Sequence, residues 1–439
     1  MISTFRIGII RLIRPIVLAV ALAALATSAH AASTPSIIHV DDDAAAGGDG
    51  SAGLPFNSLV DALSAAKGIA GAVVIEVAPG VYRFDHSLVI ARPLELRGSS
   101  VPLFGPDGLP TGDVVPGTET RLVATDSNGT SALGSDPLIS VGRTDGVVIS
   151  GVTISGFILS ATTASNEVLL TRVQNYSIRN NVFLPPGAFG MHSIASSGVV
   201  TGNFFSGIST GAIFSGGYAA SPSNVVFQGN RAVKNILGGM LLNGASLGIP
   251  ELGDQLVANV LNNDLSGNIG VPGFSFGIRI FILRRDLGLP GDTQSEGHVH
   301  ASITGNRIVG NEMGFSLDAG FPYRKVQTPR GPVCDARVYS GSIDLLLSGN
   351  TVSGSHLTPA LITFTRNSGA LDPSTLPLWQ YLHGATFTIA DPDNALADAR
   401  IDHPDTDPLV GPCPGDAAHE VLGNVLRYNG QVLPHGRNF

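Results

Sequence analysis

A hexapeptide of the form apolar-x-(Gly or Asn)-Asn-x-apolar recurs along the chain and limits its possible folds more than any other feature. It reads Ile178–Phe183, Val200–Phe205, Phe227–Ala232, Val260–Leu265, Ile303–Ile308, Leu347–Val352 and Val421–Leu426. An eighth copy, Ile149–Ile154, carries Val152 where the others carry Asn. A second signature follows most copies, a Gly with apolar residues alternating after it: Gly190–Ile194, Gly211–Phe214, Gly239–Leu242, Gly277–Ile280 and Gly314–Leu317, with a weaker version at Pro359–Ile362. Alternation with period two describes short strands buried on one face, and Gly or Asn between them supplies bends where positive φ is tolerated. No unit of this size buries its inner face alone, so the units must stack.

Composition agrees. With 55 Gly, 43% hydrophobic and 13% charged residues, the chain is too apolar for disorder and too glycine-rich for a helical bundle. Stacked units give a solenoid of parallel strands with rungs ~4.8 Å apart. The shortest anchor spacing, from Ile178 to Val200, matches one such turn.

At these residues the sequence resembles the pectate-lyase-like right-handed parallel β-helix superfamily, over roughly residues 36 to 366. The Asn column looks like that family's asparagine ladder. The opening, from Val40-Asp41-Asp42-Asp43 through Pro55-Phe56-Asn57-Ser58 to Ala78-Pro79-Gly80-Val81-Tyr82, looks like its N-terminal entry. The expected fold is therefore all-β: a single-stranded right-handed parallel β-helix with a short N-terminal capping helix and an irregular C-terminal cap. Residues 57 to 67 supply the helix, capped by Asn57 or Ser58, with Leu59, Leu63 and Ala66 on one face. The expected division is a signal peptide over 1–31, the β-helix over 32–366, and a cap and tail over 367–439 with one returning strand at Val421–Leu426.

The signal-peptide expectation rests on Arg6, Arg11 and Arg14 before the apolar run Pro15 to Thr27, then Ala29-His30-Ala31. That run, ~13 residues, is too short to span a ~30 Å hydrocarbon layer, and no later segment is long enough either, so no membrane span is expected in the mature chain. Secreted or periplasmic localisation follows. Without the leader, Lys and Arg fall from 25 to 22 against 34 Asp and Glu, a net charge of −12 that disfavours nucleic acid as a partner. In an oxidising compartment Cys334 and Cys413 can pair, closing a loop of about 80 residues; two free thiols are the alternative.

Inserted length concentrates at one corner. The gap from the Gly strand to the next anchor grows from 10 residues after Gly190 to 33 after Gly314 and 62 after Pro359. The insertions should form a wall beside the face carrying His192, Ile213, Leu241, Arg279 and Ser316. The segment Arg279 to Arg337 has eight basic and six acidic residues in an otherwise acidic chain, a place for a carboxylated or sulfated sugar. Arg279 and Asp318, on adjacent rungs, with Arg324 and Lys325, are the candidate catalytic residues, and Arg284, Arg285 and Tyr323 the candidate substrate-binding residues. They supply a cation for a uronate carboxylate, a base for the C5 proton and an aromatic, the parts of β-elimination. An ordinary surface ion pair accounts for Arg279 and Asp318 equally well.

Other groups point to structure. Arg231, Asp264, Arg307 and Thr351 form a charge ladder on an outward face. His300 and Asp344 share a column and could touch; His298 and His300 offer two imidazoles, with no further metal ligand evident. No cofactor motif is present. Ca2+ is possible, but the acidic run Asp391, Asp393, Asp398, Asp402, Asp405 and Asp407 lacks Ca2+-loop spacing and reads as a solvated cap. Departures from the family pattern matter too: Gly297-His298 is followed by Val299, Arg279-Ile280 by Phe281, and Asp41–Asp43 lie at the entry, so the galacturonan hydrolases' carboxylate set is absent. The only Trp, Trp379, lies near the tail. The expected function is action on an extracellular polysaccharide as a lyase of acidic glycans, the alternative a non-catalytic glycan-binding or structural surface protein.

Overall fold

The computed structural model describes residues 34–124, 137–155, 166–185, 188–217, 221–244, 254–282, 297–319, 323–328, 331–336, 341–363, 365–367, 379–381, 386–393, 396, 399–402 and 425–432. The expected signal peptide, Arg284, Arg285 and Cys413 lie outside the described residues, and so does the disulfide expected between Cys334 and Cys413. Three sheets dominate. Sheet 1 has 13 strands, from Ser36–Val40 to Gln431–Val432; sheet 2 has six, from Gly80–Phe84 to Arg231–Val233; sheet 3 has ten, from Leu88–Ile90 to Arg400–Asp402. The chain visits them in rotation, as in Tyr176–Arg179, Val182–Phe183 and Phe189–Ile194, then Gly198–Thr201, Phe204–Ser206 and Thr210–Ser215. Each strand pairs in parallel with its counterpart one lap on. This is a parallel β-helix.

The hexapeptide is the corner between sheets 1 and 2. Ile149, Ile178, Val200, Phe227, Val260, Ile303 and Leu347 are Cα partners in unbroken register. The third motif position turns the chain through positive φ: 56° at Asn180, 66° at Gly202, 62° at Gly229, 53° at Asn262, 67° at Gly305 and 63° at Gly349. Only Gly and Asn take that conformation readily, which explains the restriction to those two residues. The fourth position is the ladder. Asn181, Asn203, Asn230, Asn263 and Asn306 each donate from Nδ2 to the Oδ1 of the next asparagine, ending at Asn350, over 2.8 to 3.1 Å. The same oxygens accept the backbone N–H of the preceding rung, and Val152 joins through its own N–H to Asn181 Oδ1 at 3.2 Å. Buried amides are tolerable because every donor and acceptor is engaged.

A second ladder stands at the next corner, between sheets 2 and 3. The backbone N–H of Asn235 donates to Asn268 Oδ1, and Asn268 donates to Asn311 Oδ1 from both N–H and Nδ2, over 2.9 to 3.0 Å. Within the bore, Phe183 and Phe205 stack at 4.5 Å between ring centroids. Along sheet 3, Gly190, Gly211, Gly239, Gly277 and Gly314 form a column: a Cβ on Gly211 would lie 2.5 Å from Gly239 O and 3.0 Å from Ala232 Cβ. The expected Gly strands are present, and the glycines let consecutive rungs close against sheet 2.

The N-terminal end is covered by the helix Leu59–Ala66, whose Leu59, Ala62, Leu63 and Ala66 are buried. Ser58 accepts the N–H of Asp61, and Arg92 donates to the carbonyls of Ala66, Ile69 and Gly71 beyond the helix C-terminus. At the other end the coil runs past the expected limit of residue 366. Thr386–Ala390 and Val425–Tyr428 extend sheet 1, and Arg400–Asp402 extends sheet 3. The seventh hexapeptide is not a ladder copy: Leu426 pairs with Phe387 inside sheet 1, whereas the last apolar residue of other copies, such as Phe205, lies in sheet 2. The next sheet 1 strand after Thr358–Thr363 is Thr386–Ala390, so the 62-residue gap does not exist as a single insertion. Asp391 is fully buried, accepting from Leu396 N and Tyr428 Oη, which removes it from the solvated run. No helix among the described residues is long and apolar enough to cross a membrane.

Candidate functional site

Sheet 3 positions the site. Val168, Met191, Ala212, Met240, Ile278 and Phe315 line its inner side, so the intervening residues His192, Ile213, Leu241, Arg279 and Ser316 form one outward column in register. The next outward column is Ile194, Ser215, Asn243, Phe281 and Asp318. Outward does not mean solvated: His192, Ile213, Ser215, Asn243 and Ser316 are all buried. His192 Nε2 lies 3.1 Å from Ser215 Oγ, and burial lowers its pKa to about 4, so the ring is neutral at ordinary pH.

Arg279 is the half-buried cation on this face. Its guanidinium carbon lies 5.8 Å from the Phe276 ring centroid and 5.6 Å from that of Phe281, within cation–π range of both. Its rung neighbours are Leu241 and Ser316, while Asp318 sits diagonally, opposite Phe281. Tyr323–Thr328 and Gly331–Ala336 form an antiparallel ribbon directly after sheet 3, Lys325 facing Cys334 and Arg324 facing Asp335. The side chains of Asp318, Tyr323, Arg324 and Lys325 lie outside the described residues.

A second ribbon, Thr365–Asn367 with Trp379–Tyr381, neighbours the first. Trp379 lies in this second ribbon. Its position was illegible because nothing in the local sequence marks an inserted ribbon. Arg307 leaves the cationic group: it donates to Asp264 Oδ1 at 3.1 Å and to Ser266 Oγ on the sheet 2 side. With Arg231, which pairs with Asp264 and with Asp107, it forms the outward charge ladder.

Two further polar places lie near the entry. Asp41, Asp42 and Asp43 bring carboxylate oxygens within 4.8 Å of one another, but Asp42 Oδ2 accepts Val81 N–H and Asp41 Oδ1 accepts Asp43 N–H, which accounts for them as a buckle on the first lap. A cavity of about 470 Å³ on sheet 1 includes His39, Glu76 and Arg97, with Arg97 paired to Glu76 at 3.1 Å and His39 Nδ1 3.6 Å from the same carboxylate.

No family model matches the chain, and no curated protein matches it. Solved structures are similar in fold. The pectate lyase Pel9A is 13% identical with a TM-score of 0.40, over 75% of this chain and 80% of that one. The A-module of the Azotobacter vinelandii mannuronan C-5 epimerase AlgE4 is 14% identical with a TM-score of 0.34, over 78% and 87%. A tailspike of Acinetobacter baumannii bacteriophage Fri1, a capsular polysaccharide depolymerase, is 10% identical with a TM-score of 0.37, over 91% and 64%. The sheet rotation and registered asparagines themselves make this a parallel β-helix protein.

Proposed function

We propose that the outward face of sheet 3 binds an acidic polysaccharide outside the cytoplasm and cleaves it by β-elimination. The observation that carries this reading is Arg279, a half-buried cation within cation–π reach of Phe276 and Phe281 on the outward face of sheet 3. A guanidinium there would neutralise a uronate carboxylate, which makes the C5 proton acidic; a base removes that proton, the C4–O bond to the leaving sugar breaks, and a C4=C5 double bond forms. Lys325 or Arg324 serves as base, a role that requires neighbouring positive charge to lower its pKa, while Asp318, Arg284, Arg285 and Tyr323 hold the chain of sugars.

The test is incubation with alginate, pectate and glycosaminoglycans, with and without Ca2+. Unsaturated products absorbing near ~235 nm are expected, with activity reduced at least ~100-fold by Arg279→Ala and by Lys325→Ala. Neither product nor binding across the panel overturns the proposal. One observation favours a second reading, binding without turnover: Leu241 and Ser316, the rung neighbours of Arg279, include no base. That reading expects saturable binding with no absorbance change.

A further inference from the structure

The first three strands of sheet 1, Ser36–Val40, Val73–Val77 and Glu95–Gly98, form the floor of the cavity of about 470 Å³, on a different sheet from Arg279. Ile38, Ile75 and Leu96 point into the core, so their neighbours His39, Glu76 and Arg97 form one outward row in register. Asp41 and Ser99, two residues further along their chains, border the same cavity, and Ala52, Pro55 and Pro79 add apolar surface. The loop that carries Ala52 and Pro55 is fastened to the floor: His39 N–H donates to Gly50 O at 2.8 Å and Phe56 N–H to His39 O at 3.0 Å. The cavity is therefore preformed, and its volume falls within the range of small-molecule sites.

The charges in this floor cancel. Arg97 donates to Glu76 Oε1 at 3.1 Å and, in a two-pronged contact, to Glu95 Oε1 and Oε2 at 3.0 and 2.9 Å. Glu95 Oε1 also accepts from Arg179 at 3.0 Å. Each guanidinium is thus matched by a carboxylate, and Asp41 adds a negative charge to the cavity. A carboxylated or sulfated sugar gains no net attraction here. Hydrogen-bonding capacity nevertheless remains. A guanidinium has five N–H donors, of which these contacts use three, and Glu76 Oε2 stands 3.6 Å from His39 Nδ1, beyond hydrogen-bond distance. The side chains of Arg97 and Glu76 are 45% and 35% exposed, so a charged donor and a charged acceptor reach solvent side by side. Adjacent sugar hydroxyls, each able to donate and to accept, match such a pair, while the proline and alanine surface suits the C–H face of a sugar ring.

We propose that this cavity binds a neutral pyranose through Glu76 and Arg97, as a site separate from the Arg279 face and independent of the lyase reading.

The experiment is calorimetric titration of the whole chain with D-glucose, D-galactose and D-mannose, each set beside its uronate, with melting curves confirming that each variant folds. At least one neutral sugar is expected to bind saturably with a Kd on the order of 1 mM, the range open to so small a ligand. Its uronate should bind at least ~10-fold more weakly. Arg97→Met removes the donor and should weaken binding at least ~10-fold. Ala52→Trp, on the exposed loop and away from the ion pairs, should fill the cavity and abolish binding with the melting temperature unchanged. No saturable binding of any of the three sugars overturns the site, and so does unchanged affinity in Ala52→Trp. Unchanged affinity in Arg97→Met overturns the role given to the guanidinium, and a uronate that binds as tightly as its neutral sugar overturns the charge argument. Because the readout is binding of neutral sugars, its failure leaves the reading of the Arg279 face standing, and the converse holds.

Discussion

Glu167 shows how one residue can oppose the fold that contains it. Its register places it in the column where the later rungs carry Gly190, Gly211 and Gly239. It is fully buried, and neither carboxylate oxygen has a hydrogen-bond partner among the described residues. Burial raises its pKa well above the usual carboxylate range. In the unfolded chain the group ionises near 4.5, so above that pH the folded state binds the extra proton and stability falls as pH rises. His192 gives the opposite slope. It is kept neutral down to about 4 while the unfolded ring protonates below about 6.5, so its contribution is lost as pH falls between those values. Glu167→Gln should stabilise the protein at pH 8 by about 1 to 3 kcal/mol and flatten the alkaline side of the stability profile, leaving the acid side intact. Urea denaturation at pH 5 and pH 8 measures both; equal stability of wild type and variant at pH 8 refutes the account.

Among the elements, the corner between sheets 1 and 2 holds the register. Asn230 donates to Val200 O and Asn263 Oδ1, and its own Oδ1 accepts from Asn203 N and Nδ2. Asn230→Ala would leave these groups buried without partners, a cost of about 3 to 5 kcal/mol. Asn350→Ala, at the last described member of the ladder, should cost no more than about half as much. Chemical denaturation of the two variants checks the ranking. This corner was legible because a bend that admits only Gly or Asn, followed by a buried amide, leaves the same two letters on every lap. The second ladder escaped notice because only Asn235, Asn268 and Asn311 mark it, while Ile208 and Ser355 stand at the matching offset after Asn203 and Asn350. Val421–Leu426 misled for the converse reason: six residues can imitate the pattern, but pairing with Thr386–Ala390 sets the register. Of the candidate site, Arg279 and its column were readable from alternation. The ribbon that carries Arg324 and Lys325 was not, since it breaks the repeat.

For the molecule as a whole, a stack of identical laps is stable only if its ends are closed. The first strand's edge is occupied by Gly50 and Phe56, which bond with His39 and Asp41, and the helix Leu59–Ala66 covers the adjoining core. Leu63→Asp places a charge in that buried face, and the uncovered end exposes apolar surface and strand edges together. The expected result is end-to-end association, visible as concentration-dependent growth in light scattering while strand content by circular dichroism is retained. A variant that stays monomeric would show that the helix is dispensable as a lid.

The connection that leaves sheet 1 at the asparagine corner is two residues long in every lap from Asn180-Asn181 to Gly349-Asn350 that has a strand on both sides, whereas the connection from sheet 3 back to sheet 1 ranges from three residues after Ile194 to 22 after Ala319. Pitch and chemistry are therefore written on separate margins of the same coil. Segments on the variable margin can be lengthened, shortened or transplanted between laps without disturbing the spacing of the backbone, so new surface specificities are accessible to this architecture by splicing alone.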